Sequence, residues 1–305
     1  MTAPAPLLDC VVVGGGPAGL TAAMYLRRFH RAVVLLDAGH SRARWIPESN
    51  NCPGFPSGVS GVELLANLRA QAARFDITPT PGLVTALERD PGGFALATGD
   101  GERWRARRVI LATGIEDVLP DVPWADLAID ATAMRLCAIC DGFEATDGAL
   151  AVYGPLASAL SHARFLRTYS QRVTVLPSEP GEPTEAERVA ASDAGVELLA
   201  RPDALEFDGR HCSAVVAGQT HAFDALYPAL GSRSQSGLAT ALGARVDDEG
   251  ELLIDGDKMT SVDGLYAIGD VACTINQISV ATGHAAIAAT AVHNALPPNP
   301  RAAVG

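Results

Sequence analysis

Two strand–turn–helix–strand patterns lie 140 residues apart and superimpose without a gap. They predict an α/β chain of two Rossmann-like, three-layer nucleotide-binding domains. The first pattern covers residues 9–37 and the second covers 149–176. A C-x-x-C pair at Cys137 and Cys140, just ahead of the second pattern, places redox-competent sulfur beside it.

The first pattern opens with Cys10-Val11-Val12-Val13, a short β-branched run that reads as a buried strand. Gly14-Gly15-Gly16-Pro17-Ala18-Gly19 follows at once and contains G-x-G-x-x-G as Gly14, Gly16 and Gly19. A helix is expected from about Pro17 to Phe29, with Arg27, Arg28 and Arg31 gathered at its C-terminal end, where the helix dipole favours cations. Val33 to Leu36 reads as the second strand, and Asp37 ends it. In this order each group has a job. Gly14 permits the tight turn, Gly16 lets a pyrophosphate approach the backbone, and Gly19 lets the helix pack on the strand. The phosphates then sit on the helix N-terminus, and Asp37 accepts from a ribose diol.

The second pattern keeps the apolar frame and loses the chemistry. Val11 maps onto Ala151, Gly14 onto Gly154, Gly19 onto Ala159, Val33 onto Val173 and Leu36 onto Leu176. Gly16 becomes Leu156, whose side chain occupies space a pyrophosphate needs, and Asp37 becomes Pro177, which offers a ribose no acceptor. Ser178-Glu179-Pro180-Gly181-Glu182 follows, with no Arg or Lys for a 2′-phosphate and two acids that repel one. NADPH is therefore not expected to bind in the usual way.

Bulk properties narrow the class. The chain has 305 residues, 48% hydrophobic and 19% charged, as expected of globular domains. Its net charge of −12 argues against nucleic acid and anionic membranes as main partners. No apolar run is long enough to span a bilayer, and Met1 to Asp9 lacks a secretion signal, so cytoplasmic residence is the expectation. Four cysteines, Cys10, Cys52, Cys212 and Cys273, are isolated and read as small buried hydrophobes. No second C-x-x-C or close His pair accompanies Cys137 and Cys140, so no metal site is expected.

The motifs resemble those of low-molecular-weight thioredoxin reductases, in the pyridine-nucleotide-disulfide-oxidoreductase superfamily, over essentially the whole chain. The matching segments are the Gly-rich turn at 14–19, Asn51-Cys52-Pro53-Gly54-Phe55, Cys137-Ala138-Ile139-Cys140-Asp141-Gly142, and Thr260 through Gly269-Asp270. Val109 to Gly114, with Thr113 and Gly114 at its end, resembles the strand that closes the family's FAD domain. Asn276-Gln277, before a helix from about Val280 (Ile278 included in the site), resembles its flavin-covering segment.

The resemblance implies a discontinuous FAD domain, about 1–115 plus 232–305, with a domain at 116–231 carrying the C-x-x-C pair inserted between. It also implies a homodimer. Asp270 would hold the flavin's ribityl chain. Cys140 would face the flavin and meet it through a C4a adduct or charge-transfer pair, Cys137 would exchange with substrate, and Asp141 would manage protons. The helix after Gln277 would aim its N-terminus at the flavin N1–C2=O edge, with His284 in about its first turn.

The departures set the functional expectation. The chain reads as an FAD-dependent thiol–disulfide oxidoreductase acting on a thioredoxin-like protein disulfide or a small dithiol or disulfide. Relatives without NADPH use ferredoxin, add a second flavin, or oxidise dithiols with oxygen. A dithiol oxidase, and a flavin-bearing redox sensor or partner-binding protein without turnover, are the alternatives. Arg42-Ala43-Arg44-Trp45 could stack on a second ring system, and the arginines at 27, 28, 31, 42 and 44 make residues 27–48 locally positive, a docking patch for an acidic electron donor.

Overall fold

The structure, a computed structural model, describes residues 6–272 and 275–301. Cys273 lies outside these residues. The chain packs as two compact units. One contains residues 1–44, 61–116 and 233–305, and the other contains residues 45–60 and 117–232. In chain order, the elements that position the site are β1 (Leu7–Val13), α1 (Pro17–Arg28), β2 (Val33–Asp37), β3 (Arg103–Leu111), α2 (Ala138–Asp141), β4 (Ala149–Gly154), α3 (Leu156–Leu166), β5 (Arg172–Pro177), β6 (Ala225–Pro228), β7 (Leu265–Ala267) and α4 (Ile278–Ala295).

In the first unit β1 lies between β2 and β3, and β7 extends the parallel sheet beyond β3. Val12 pairs with Leu35 on one side and Ile110 on the other, and Ile110 pairs in turn with Tyr266. These strands are buried on both faces, which is why they read as unbroken apolar runs. Val11, Val13, Val109 and Leu111 face a cluster with Phe94, Leu96 and Leu265. Cys10, Val12 and Ile110, on the other residues of the same strands, are equally buried. An antiparallel hairpin, Val84–Asp90 and Gly93–Thr98, joins the free part of β3.

Helix α1 starts at Pro17 because its fixed φ suits the first helical position. It ends before His30, whose φ of 57° cannot continue a helix. The arginines that follow the sequence pattern to this end do not form a free patch. Arg31 is 3% exposed. It donates to His293 Nδ1 at 3.0 Å, to His293 O at 2.9 Å and to Pro297 O at 2.9 Å, tying α1 to the end of α4. Arg27 donates to Phe75 O and lies 3.5 Å from Asp76, while Arg28 covers the Phe75 ring. Of the five arginines of the expected patch, Arg31 is spent on the fold and Arg27 is partly engaged, while Arg28 and Arg44 remain exposed.

The second unit repeats the parallel core, with β4 between β5 and β6. Val152 pairs with Val175 and Tyr227, and Gly154 pairs with Pro177. Beside it, Ala204–Phe207, Cys212–Val216 and Gln219–Phe223 form an antiparallel sheet that buries Cys212. Cys10 and Cys52 are also buried, as small hydrophobes should be. Trp45 is not a bare stacking platform: it packs against the cluster of Ala125, Ile129 and Leu226. Among the described residues no helix is long and apolar enough to cross a membrane.

Arg31→Ala removes three hydrogen bonds from a buried cation, leaving His293 and two carbonyls without their donor. The expected cost is about 3 kcal/mol, read as a lower denaturant midpoint.

Candidate active site

In the first unit the Gly-rich turn is defined by what cannot fit. Gly14 has φ +109°, and a Cβ there would overlap the Ala112 carbonyl oxygen. A Cβ on Gly19 would overlap the Gly14 carbonyl, so α1 packs directly on the end of β1. At Gly16 the nearest neighbour of a Cβ is Ser41 Oγ at 3.2 Å, which leaves one side of the backbone approachable. Gly15, to which the motif assigns no role, is constrained as well, since a Cβ there would overlap the Asp37 carboxylate. Asp37 Oδ1 accepts from Gly15 N at 3.2 Å and from Gly39 N at 3.0 Å. Its Oδ2 lies 3.8 Å from Arg69 Nη2.

Residues far away in sequence converge here. Gly269 takes φ +70°, and its position would put a Cβ 3.1 Å from the Cβ of Ala18 and 3.7 Å from that of Ala281. The Gly-Asp turn, the start of α1 and the first turn of α4 are therefore adjacent. Arg42 Nη1 lies 3.7 Å from Asp270 Oδ2, a partner the sequence reading did not assign. Thr113 Oγ1 donates to Gln235 O at 2.8 Å, and Gly114 O accepts from Gln235 N at 2.9 Å, fixing the chain after β3. Helix α4 begins at Ile278, two residues earlier than Val280, because Gln277 takes an extended N-cap conformation and accepts from Ala281 N. His284 consequently falls in the second turn. Its Nδ1 is buried without a partner among the described residues, as is Asn276 Oδ1.

These features fit a flavin dinucleotide. Neither α1 nor α4 has a side-chain cap, so their first N–H groups are available to an anion and to a polar ring edge. Among the described residues Asn276 Oδ1 and His284 Nδ1 are buried without a partner, as are Trp104 Nε1 and Ser234 Oγ, and the polar edge of a ligand would supply one.

In the second unit Cys137 and Cys140 form a disulfide with Cα atoms 5.3 Å apart. Cys137 is the extended N-cap of α2, and Cys140 N donates to its carbonyl at 2.9 Å. Helix α2 has four residues, so its dipole is small and the chief proton-handling group nearby is a side chain. That group is Asp141. Burial pushes its carboxyl up to about 6, against the pull of Arg135 and of a hydrogen bond from Tyr227, while Glu144 adds to the rise. Tyr227 OH donates to Asp141 Oδ1 at 3.1 Å, and Arg135 Nη1 donates to Asp141 O at 2.7 Å. Neither residue was legible as functional. Tyr227 lies 86 residues from Asp141, in a segment that carries no motif of its own. Asn51, expected with the flavin residues, packs in this unit: its Nδ2 donates to Ile139 O at 3.4 Å and its Oδ1 accepts from Ser49 Oγ.

The second nucleotide fold has the geometry of the first with different groups at its working end. A Cβ on Gly154 would sit 2.5 Å from Ala229 O, so the tight turn survives. Leu156 opens α3, partly packed on the core, and Pro177 is buried at the end of β5. The local sequence shows no cation here, but folding supplies one. Arg201 Nε donates to Ser178 O at 3.1 Å.

The chain matches the pyridine nucleotide-disulphide oxidoreductase family over residues 8–285. It is 30% identical over 306 residues to thioredoxin reductase tcpT of Claviceps purpurea (strain 20.1), covering 92% of each chain. It is 29% identical to a thioredoxin reductase of Mycolicibacterium smegmatis, covering 86% of this chain and 88% of the other. Among solved structures it is similar to HlmI (TM-score 0.85, 29% identity, 94% of this chain and 92% of that one). It is also similar to thioredoxin reductase from Streptococcus pyogenes MGAS5005 (TM-score 0.84, 27% identity, 94% and 97%). With a Gly-rich dinucleotide cradle in one unit and a C-x-x-C disulfide beside a raised carboxyl in the other, the chain belongs to the pyridine nucleotide-disulphide oxidoreductase family, as a thioredoxin reductase-like, FAD-dependent disulfide oxidoreductase.

Proposed function

We propose that this chain passes electrons between FAD and the Cys137–Cys140 pair without NADPH as its donor. The observation that carries the reading is the working end of the second nucleotide fold. Leu156 stands where the first fold has Gly16, and buried Pro177 stands where it has Asp37. A pyrophosphate there meets a branched side chain, and a ribose diol meets no carboxylate. Arg201 brings a guanidinium here, its Nε donating to Ser178 O, but it does not replace the acceptor that a ribose diol needs.

FAD would be held by the N–H groups at the start of α1, by Asp37 at a ribose, by Asp270 at the ribityl chain, and by Gln277, Ile278 and His284 at the ring. Gly16, Pro17, Ala18, Thr113, Gly114 and Gly269 shape the cradle, and Asn51 belongs to the loop beside the dithiol turn. When bound, FAD supplies two-electron redox chemistry to the pair. The chain's own chemistry is thiol–disulfide exchange. In the reducing direction Cys137 thiolate attacks a substrate disulfide, forming a mixed disulfide and expelling a thiolate that takes the proton of Asp141. Cys140 then attacks Cys137 sulfur, the second substrate thiol leaves, and the Cys137–Cys140 bond closes. Dithiol oxidation is the same sequence reversed, with Asp141 as base. Ile139, 51% exposed, and Phe143, 77% exposed, flank the pair with apolar surface suited to a thioredoxin-like protein or an apolar small dithiol.

In anaerobic titration, micromolar NADPH is expected to leave the flavin oxidised, while a small dithiol bleaches it. Rapid bleaching by NADPH overturns the reading. Cys137→Ser abolishes reduction by dithiol; equal reduction of that variant removes the pair from the path. Asp141→Asn slows exchange by about 100-fold. Because burial raises this carboxyl to about 6, its acid form disappears as pH rises through that value. Substrate reduction should therefore fall above that pH, and dithiol oxidation should fall below it. Oxygen uptake producing peroxide at the rate of dithiol consumption identifies the oxidase direction, and negligible uptake identifies the reductase.

A further inference from the structure

We propose that Tyr227, together with Arg135, is the positioning residue that governs proton transfer at Asp141. The inference rests on the acid/base reading of Asp141 given above. Tyr227 sits on β6 with its ring inside the second unit's core, 2% exposed, against a cluster that includes Leu150 and Val152. A phenylalanine would fill that core without adding a polar atom. The hydroxyl is tolerated because it ends 3.1 Å from Asp141 Oδ1.

The phenol is the donor in this hydrogen bond, and Arg135 holds the same aspartate through its backbone carbonyl. The backbone sets the arginine beside the strand: Arg135 N donates to Leu226 O at 2.9 Å, and Leu226 N donates to Ala133 O at 2.8 Å. Its Nε donates to Thr132 O at 3.1 Å, and its Nη1 donates to Asp141 O at 2.7 Å. An ionised carboxylate has only acceptors, so the phenol gives its proton to Asp141 Oδ1. Burial and the neighbouring carboxylate push the phenol's own ionisation far up, so Tyr227 keeps its proton and acts through Asp141.

Two consequences follow. Oδ1 is occupied by the phenol, so the travelling proton is carried on Oδ2. In dithiol oxidation that proton leaves the incoming thiol as its sulfur bonds to Cys137, the Cys137–Cys140 bond breaks, and Cys140 departs as thiolate. The phenol also stabilises the carboxylate, as does the Arg135 charge, while burial and Glu144 oppose both. Tyr227 and Arg135 thus hold the carboxyl near neutrality, where it can take and return a proton, instead of higher, where it would stay protonated.

The test is the pH dependence of flavin reduction by dithiothreitol in the FAD-loaded enzyme, taken as a ratio to Asp141→Asn so that ionisation of the reagent cancels. The wild-type ratio should rise through a limb near pH 6. Tyr227→Phe should keep its fold and flavin spectrum, move the limb up by about one unit, and recover the wild-type rate at high pH. Arg135→Gln leaves the phenol in place and should move the limb up as well, with Arg135→Lys moving it less. A limb unmoved in folded Tyr227→Phe and Arg135→Gln overturns this inference and leaves Asp141 as the acid/base group. A limb missing from the ratio, because the two enzymes share one pH profile, overturns both readings.

Discussion

The first unit depends on backbone meeting backbone at places where no side chain fits. Gly14 lies on Ala112, Gly19 on the Gly14 carbonyl, and Gly269 on Ala18. These approaches bring the ends of β1 and β3, the start of α1 and the Gly-Asp turn to one point. Any Cβ at Gly14 or Gly19 would have to push a carbonyl aside. The uncapped starts of α1 and α4 and, among the described residues, the unpartnered atoms of Asn276 and His284 lie in the segments brought together here.

The second unit uses the same backbone plan for a different end. Its strand–helix–strand frame is kept, down to the tight approach of Gly154 to Ala229, while Leu156 and Pro177 stand where the first unit has Gly16 and Asp37. Fold and site separate cleanly here: the frame is maintained by apolar strands and a small residue at 159, and the site by a few positions at the C-terminal strand ends. The chemistry has moved to one edge of this unit, where a single helical turn carries the disulfide and Asp141. A carboxyl raised by burial yet restrained by a cation and a phenol can exchange protons near neutral pH, which thiol–disulfide exchange requires.

Charge shows how packing can redirect what a sequence appears to offer. Arginines at the end of α1 read as a surface patch when counted along the chain. Arg31 is instead a buried clamp on α4, and Arg28 lies over Phe75. Arg201 and Arg42 run the other way, since folding carries each to a site position that its neighbours in sequence do not announce.

The α/β frame, the repeat at offset 140, the Gly-rich cradle and the redox pair were legible in the amino-acid order alone. Each is a local pattern: an apolar strand period, a glycine where backbone must approach, two sulfurs three residues apart. Local patterns survive in one dimension because the backbone conformations they require are set by adjacent residues. Tertiary structure alone decided which groups tune that chemistry. Tyr227 reaches Asp141 from 86 residues away, Arg135 is set beside it by pairing with Leu226, and Asn51 packs with the dithiol turn. A phenol in a buried strand is chemically silent in the sequence. It acquires a function only when the sheet register places its hydroxyl within hydrogen-bond reach of a carboxyl.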